Sequence, residues 1–114
     1  MDRAAATTWY QKLVATIPEA ALKGKTTPYT SLNGNMYSYL GDHGLALRLP
    51  TDVRAEFLAT YLTSLYVSHG VTQKEYVTVP DTLLENTEEL QRYFALSFAY
   101  AQSLKPKPTT RKKR

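Results

Sequence analysis

The stretch PYTSLNGNMYSYLGDHGLALRL, residues 28–49, decides the fold. At its centre Asn33-Gly34 separates two runs, 28–32 and 35–40, that are rich in strand-forming residues. Asn-Gly supplies the two positive φ angles of a type I′ turn, whose twist matches an antiparallel hairpin. Gly41-Asp42-His43-Gly44 makes a second turn into residues 45–49. There Leu45, Leu47 and Leu49 alternate with Ala46 and Arg48, as a half-buried strand requires. If Leu40 stands opposite Leu45, then Ser38 meets Leu47 and Met36 meets Leu49. One face of this meander then holds Met36, Ser38, Leu40, Leu45, Leu47 and Leu49, and it is the expected core. The other holds Tyr37, Tyr39, Ala46 and Arg48, joined by Thr30 and Leu32, and it is unusually aromatic for an outward face.

Working outward, Trp9, Leu13 and Ile17 recur every four residues with Tyr10 and Val14 beside them, which predicts a helix stopped by Pro18. On the other side, Pro50-Thr51-Asp52 reads as a strand-to-helix junction with Thr51 as N-cap. Phe57, Leu58, Tyr61 and Leu62 give the apolar side of that helix. Two further strands are expected near 64–68 and 74–79, with a turn at His69-Gly70 between them and Pro80 at the end. Asn86 and Glu89 fit a capping box. The helix behind them carries Leu90, Phe94, Phe98, Ala101 and Leu104 on one stripe, widened by Tyr93, Leu96 and Tyr100, and Pro106 and Pro108 close it. The order α-β-β-β-α-β-β-α predicts an α+β, two-layer sandwich, an antiparallel-rich sheet with helices on one face.

Charge is distributed unevenly. The chain of 114 residues has 14 Lys and Arg against 10 Asp and Glu. Six of those cations, Lys105, Lys107, Arg111, Lys112, Lys113 and Arg114, lie in the last ten residues, which contain no acid. The first 104 residues thus carry eight cations against ten anions, a net charge of −2, and the tail carries +6. Residues 1–104 are expected to form one domain and residues 105–114 a disordered basic tail. Such cations neutralise phosphates and release counterions, which gives weak, salt-sensitive nucleic-acid binding without sequence preference. A solubilising terminus is the plainer alternative.

Little else points to chemistry. There is no cysteine, so disulfides and thiolate chemistry are excluded. His43 and His69 both fall in expected turns without an oriented partner, and a zinc site would need three or four ligands. Gly24-Lys25-Thr26 echoes the end of a phosphate-binding loop, but the glycine required five positions earlier is Glu19. Glu85, Glu88 and Glu89 suit the positive end of a helix dipole. No catalytic residue, cofactor or metal is therefore expected. Tyr37, Tyr39 and Arg48 are the candidate interface, able to bury against a partner, including a second copy, or to stack on bases. No run of about 18 apolar residues and no signal-peptide pattern is present, so the expectation is a cytoplasmic protein with no membrane partner.

Residues 25–36 (KTTPYTSLNGNM), 45–50 (LALRLP) and 74–80 (KEYVTVP), with Leu83, Leu84 and Leu90 behind them, together resemble the TfoX/Sxy N-terminal-domain family, in its short single-domain members. The resemblance runs over residues 8 to 104. It implies a compact α+β domain and, through the family, a link to the regulation of competence genes; none of its motifs is a catalytic signature. Pro28-Tyr29-Thr30 stands where a glycine pair is often found, and the basic tail where the full regulators have a C-terminal helical domain. The functional expectation is a non-enzymatic accessory or regulatory interaction domain with weak nucleic-acid affinity in its tail. The alternatives are a protein-interaction or structural domain, homodimeric, with a solubilising tail, and, third, an enzyme of unknown class.

Overall fold

The Asn33-Gly34 turn forms as its residue types require, with φ of 53° and 80°, and joins β1 (Tyr29–Leu32) to β2 (Asn35–Gly41). These coordinates, a computed structural model, describe residues 1–107. Helix α1 (Arg3–Val14) precedes the hairpin; β3 (Gly44–Arg48), α2 (Thr51–Thr60), β4 (Leu65–Ser68) and β5 (Val71–Val79) follow it. A one-turn helix α3 (Asp81–Leu84) and the long α4 (Thr87–Ser103) complete the order. The strands form one antiparallel sheet in the order β1-β2-β3-β5-β4, and the helices pack on it, so the molecule is an α+β two-layer sandwich. The expected element order holds, with α3 added where Pro80 ends β5. His69-Gly70 also takes two positive φ angles, 51° and 70 being at 77°, and turns β4 into β5.

The second turn sets the register expected of it: Leu40 pairs with Leu45 and Ser38 with Leu47. The first hairpin departs from simple alternation. Thr30 pairs with Ser38 but the next residue, Ser31, pairs with Met36. Tyr37 is therefore an extra residue in β2, a β-bulge, and a bulge re-aims the side chain it carries. The face expected for Tyr37 is thus corrected. Its ring lies 5.8 Å from that of Phe94 and 5.7 Å from that of Phe98, it is 1% exposed, and it belongs to the helix-side core. Thr30 is also corrected, because the shift places it beside Ser38 in the interior. Met36, expected in the core, is only half-buried. It has no partner in β3, since pairing stops at Ser38 and Leu47 and the Leu49 N–H goes instead to the Glu75 carbonyl at 3.0 Å.

Three buried hydroxyls lock this region. The Ser38 hydroxyl lies 2.5 Å from the Tyr10 hydroxyl of α1 and 2.5 Å from the Thr30 hydroxyl of β1. All three residues are fully buried. Around them, Ala6, Tyr10, Leu13 and Val14 of α1 and Leu90, Tyr93, Phe94 and Ala101 of α4 cover Leu40, Leu45, Leu47 and Val77. Each buried aliphatic or aromatic side chain contributes roughly 1.5–3 kcal/mol. The α1 stripe is centred one residue off the expected line: Trp9 and Ile17 lie at its margin. The helix ends at Val14, and a period of 3.6 rather than 4 selects Ala6, Tyr10, Leu13 and Val14.

The caps are of two kinds. Asp2 accepts from Ala5 N–H at 2.8 Å and starts α1. Asn86 accepts from Glu89 N–H and starts α4, while the Glu89 carboxylate reaches the Asn86 amide rather than its backbone. Thr51 is not the cap expected of it: Pro50 holds that position with ψ of 162°, and Thr51 is the first helical residue. Proline's fixed φ suits an extended cap, and the Thr51 hydroxyl accepts from Arg54 at 3.1 Å.

Replacing Ser38 by Ala strands the Tyr10 and Thr30 hydroxyls in the core, and each unsatisfied group costs about 1–3 kcal/mol. Urea unfolding of Ser38→Ala is expected to show a loss of roughly 2–4 kcal/mol. Adding Tyr10→Phe removes one stranded partner, so the double variant should lose clearly less than the two single losses combined. Strict additivity would mean that the hydroxyls do not act together.

Candidate functional site

On the face away from the helices, β2, β3 and β5 bring Tyr39, Ala46, Arg48, Tyr76 and Thr78 together through the pairs Tyr39–Ala46, Ala46–Thr78 and Arg48–Tyr76. Tyr66 of β4 lies across them. Its ring centroid is 5.4 Å from that of Tyr39, and Tyr76 lies 5.5 Å from Tyr39 on another side; both pairs meet edge to face. Such pairs contribute about 0.5–1.5 kcal/mol beyond their buried area. Two small residues let Tyr66 lie flat. Ala46 is fully buried, and a Cβ on Gly41 would stand 2.5 Å from the Tyr66 hydroxyl. That hydroxyl accepts from His43 N–H at 2.9 Å, and Tyr66 is 1% exposed. The outer face is therefore a second, smaller packed cluster.

Arg48 is committed within that cluster. Its Nε donates to Glu75 Oε1 at 2.6 Å and its Nη1 to the Met36 carbonyl at 3.3 Å. The guanidinium lies 5.8 Å from the Tyr76 ring centroid and 5.7 Å from that of Tyr100. Tyr76 also donates to the Met36 carbonyl, at 2.7 Å. Arg48 and Tyr76 thus fill the gap where β2 leaves β3, and they satisfy the carbonyl that the gap would orphan. Of the three residues expected to share an outward surface, Tyr39 and Arg48 are together, with Tyr66 and Tyr76 as unforeseen members, and Tyr37 is on the opposite side. Tyr66 and Tyr76 sit at alternating positions in the expected strands, a signal that only the β3–β5 pairing makes readable.

The basic tail has an anchored root. Lys107 N–H donates to the Asn33 carbonyl at 2.8 Å, and the Asn35 amide donates to the Lys105 carbonyl at 3.1 Å. Asn35 is 2% exposed, so this contact uses a buried polar group. A Cβ on Gly34 would collide with the Lys107 carbonyl, so glycine is required twice, for the turn and for the approach of the tail. Both lysine side chains are exposed. Along the same strand, Lys23 forms a bridge to Tyr29 at the edge of β1 and places its Nζ 3.4 Å from the Ser31 hydroxyl. Arg111, Lys112, Lys113 and Arg114 lie outside the described residues. Glu85, Glu88 and Glu89 sit at the other end of α4, about 25 Å from its C-terminus for 17 residues at 1.5 Å each.

The histidines do not converge. His43 and His69 are both exposed, in different turns, and among the described residues no three His, Asp or Glu side chains are grouped as a metal would need. An open hollow of about 570 Å³ lies between α2 and α4, lined by Val53, Glu56, Gln91, Arg92 and Leu96. Arg92 is turned onto Tyr93, donating to its hydroxyl at 2.8 Å. Next to it, Tyr61 donates to Glu89; burial foremost, then Glu89, raises the Tyr61 hydroxyl above the ordinary tyrosine range. Among the described residues no helix is long and apolar enough to cross a membrane. Comparison with protein-family models, with curated proteins and with solved structures gave no match.

Burial pushes the Tyr76 hydroxyl up from 10.0 to about 12, against the opposing pull of Arg48. Burial raises Tyr39 and Tyr66 in the same direction. A raised folded value means that the native state keeps protons which the unfolded chain loses, so stability falls as pH rises. The loss should begin near pH 10 and be complete near 12 for Tyr76. Thermal unfolding followed across this window is expected to show a falling Tm, and Tyr76→Phe should flatten the fall. An equally steep fall in that variant would place the titrating groups elsewhere.

Proposed function

We propose that this protein is a non-enzymatic accessory domain that binds a polyanion, nucleic acid foremost, through a basic pole. The pole is composed of Lys105, Lys107, Arg111, Lys112, Lys113 and Arg114, with Lys23 on the edge of the strand that leads into the turn holding their root. The observation that carries this reading is the anchoring of Lys105–Lys107 to the Asn33–Asn35 turn. Anchoring fixes Lys105 and Lys107 at the β1–β2 turn, on the strand whose edge Lys23 bridges and away from the acidic start of α4, and the other four cations follow them in the sequence. Cations concentrated in one stretch of a chain whose remainder is net-acidic generate a local positive potential and orient an approaching polyanion. Recognition of this kind reads backbone charge and no sequence. The aromatic face takes no part in it, because Tyr39, Tyr66, Tyr76 and Arg48 are occupied with one another. The resemblance of residues 25–36, 45–50 and 74–80 to the TfoX/Sxy N-terminal domain agrees with a regulatory rather than a catalytic role.

The test is anisotropy of a short labelled duplex DNA across a salt series, with the full chain and with a variant in which Arg111, Lys112, Lys113 and Arg114 are all Gln. Each phosphate contact contributes about 0.9 to the slope of log K against log salt. Loss of four cations should therefore reduce that slope by roughly 3–4 and weaken binding at every salt concentration. An unchanged slope, or no binding by the full chain at low salt, rules the reading out in favour of a tail that only solubilises.

A further inference from the structure

Among the described residues five large apolar side chains are prominently exposed, and three of them, Leu62, Val67 and Val71, fall within ten residues around β4. Leu62 is the extreme case. It is 91% exposed, and its φ of 50° lies in the left-handed region, which residues other than Gly, Asn and Asp avoid. The backbone there closes α2, with the Thr63 N–H returning to the Leu58 carbonyl at 3.2 Å, a helix end that usually takes Gly or Asn at this position; the Leu62 side chain itself projects into water. The helix end accounts for the backbone, so it is the grouping of exposed apolar side chains that marks a contact surface.

The same segment is free of charge: residues 57–73 contain no Asp, Glu, Lys or Arg. Within it, β4 is an edge strand, paired on one side to β5 and on the other to nothing among the described residues. Folded proteins protect sheet edges with lysine, proline or a covering segment, because the unpaired N–H and C=O groups recruit another strand. The opposite edge has that protection. Lys23 crosses β1 with two backbone hydrogen bonds to Tyr29, at 2.8 and 2.9 Å, and its ammonium lies over Ser31. At β4 there is no such guard among the described residues.

We propose that the β4 edge is a self-association surface on which a second copy of this chain adds its own β4, antiparallel, about a two-fold axis. Antiparallel pairing is self-complementary, since each strand offers the donors and acceptors that its copy needs in reverse order. A strand without charge meets its copy with no like-charge cost, and it offers no countercharge to an acidic or a basic partner. Four residues of backbone pairing are too few to hold two subunits alone. Burial of Leu62, Val67 and Val71 supplies the apolar contact that the short strand lacks. Pairing requires Val67 and Thr72 on one face of the hairpin and Ser68 and Val71 on the other, so the apolar groups flank the joined strands on both sides. This surface is distinct from the basic pole and does not depend on polyanion binding.

Sedimentation equilibrium from low micromolar to near-millimolar concentration is expected to show a monomer–dimer equilibrium. Val67→Lys places like charges near the two-fold axis and should raise the dimer Kd about tenfold or more. Leu62→Asn removes apolar surface while keeping a residue suited to a left-handed φ, so it should weaken the dimer without lowering Tm. It carries the test if the lysine variant does not fold. Amide exchange at residues 65–68 should slow as the wild-type concentration rises and should not do so in Leu62→Asn. A monomer at every concentration overturns the proposal, even if a foreign peptide pairs with the edge. So does a dimer whose Kd is the same in both variants, which would put the interface elsewhere.

Discussion

The hydroxyl of Ser38, held between those of Tyr10 and Thr30, is the constraint on which the rest of this structure depends. A buried hydroxyl without a partner is costly, so three of them in one core fix their relative positions closely. Thr30 reaches Ser38 only if β2 carries one more residue than β1 between that pair and the Asn33-Gly34 turn. The extra residue is Tyr37, and its displacement sends a large ring against Phe94 and Phe98. Regular alternation would have sent that ring outward and left a void under α4, and voids lining a core forfeit contacts on the scale of kcal/mol. The polar triad and the aromatic core therefore support one register. The Ser97 hydroxyl, which donates to the Tyr37 carbonyl at 3.1 Å, ties α4 to the same bulge.

What local sequence could reveal follows from what is local. The Asn33-Gly34 and His69-Gly70 turns, the alternation of Leu45, Leu47 and Leu49, and the apolar stripe of α4 depend on neighbours within a few residues, and all were legible. The bulge was not, because it is chosen by Tyr10 and by Phe94 and Phe98, which are remote in sequence from Tyr37. Arg48 shows the same limit from the other side. Its position on the face away from the helices was readable, but its commitment to Glu75 and the Met36 carbonyl required the β3–β5 pairing. Residues 105–114 are expected to form a disordered tail once Pro106 and Pro108 close the helix. The buried amide of Asn35 and the missing side chain of Gly34 instead draw residues 105–107 back to the first turn. Nothing in the composition of a Lys-Pro-Lys segment carries that information.

Packing on both sides of the sheet changes where recognition can occur. The helix side is filled by α1 and α4, and the other side is closed by Tyr66 lying over Gly41 and Ala46. A face rich in tyrosine looks like a stacking platform in sequence, but stacking needs rings whose faces are free. Here the rings meet edge to face, and a guanidinium that could have contacted a ligand neutralises Glu75. The sheet keeps its available chemistry at its margins.

Those two margins differ in kind. Beside β1 lie Lys23 and the root of the cationic tail; beside β4 lies a neutral strand flanked by Leu62, Val67 and Val71. With strands about 4.8 Å apart, the two edges of a five-stranded sheet are separated by roughly 20 Å, so occupancy of one leaves the other open. Joining two copies at β4 would merge their sheets and send the two tail roots to opposite ends of the assembly, roughly 40 Å apart before twist shortens the span. Two cationic arms on one such body would bind a long polyanion at a high effective concentration for the second contact, which raises avidity without any new interaction. A short polyanion that cannot span the roots gains nothing from the second arm. Dependence of affinity on polyanion length, present in the dimer and absent in the monomer, is therefore the physical signature that distinguishes two coupled margins from two independent ones.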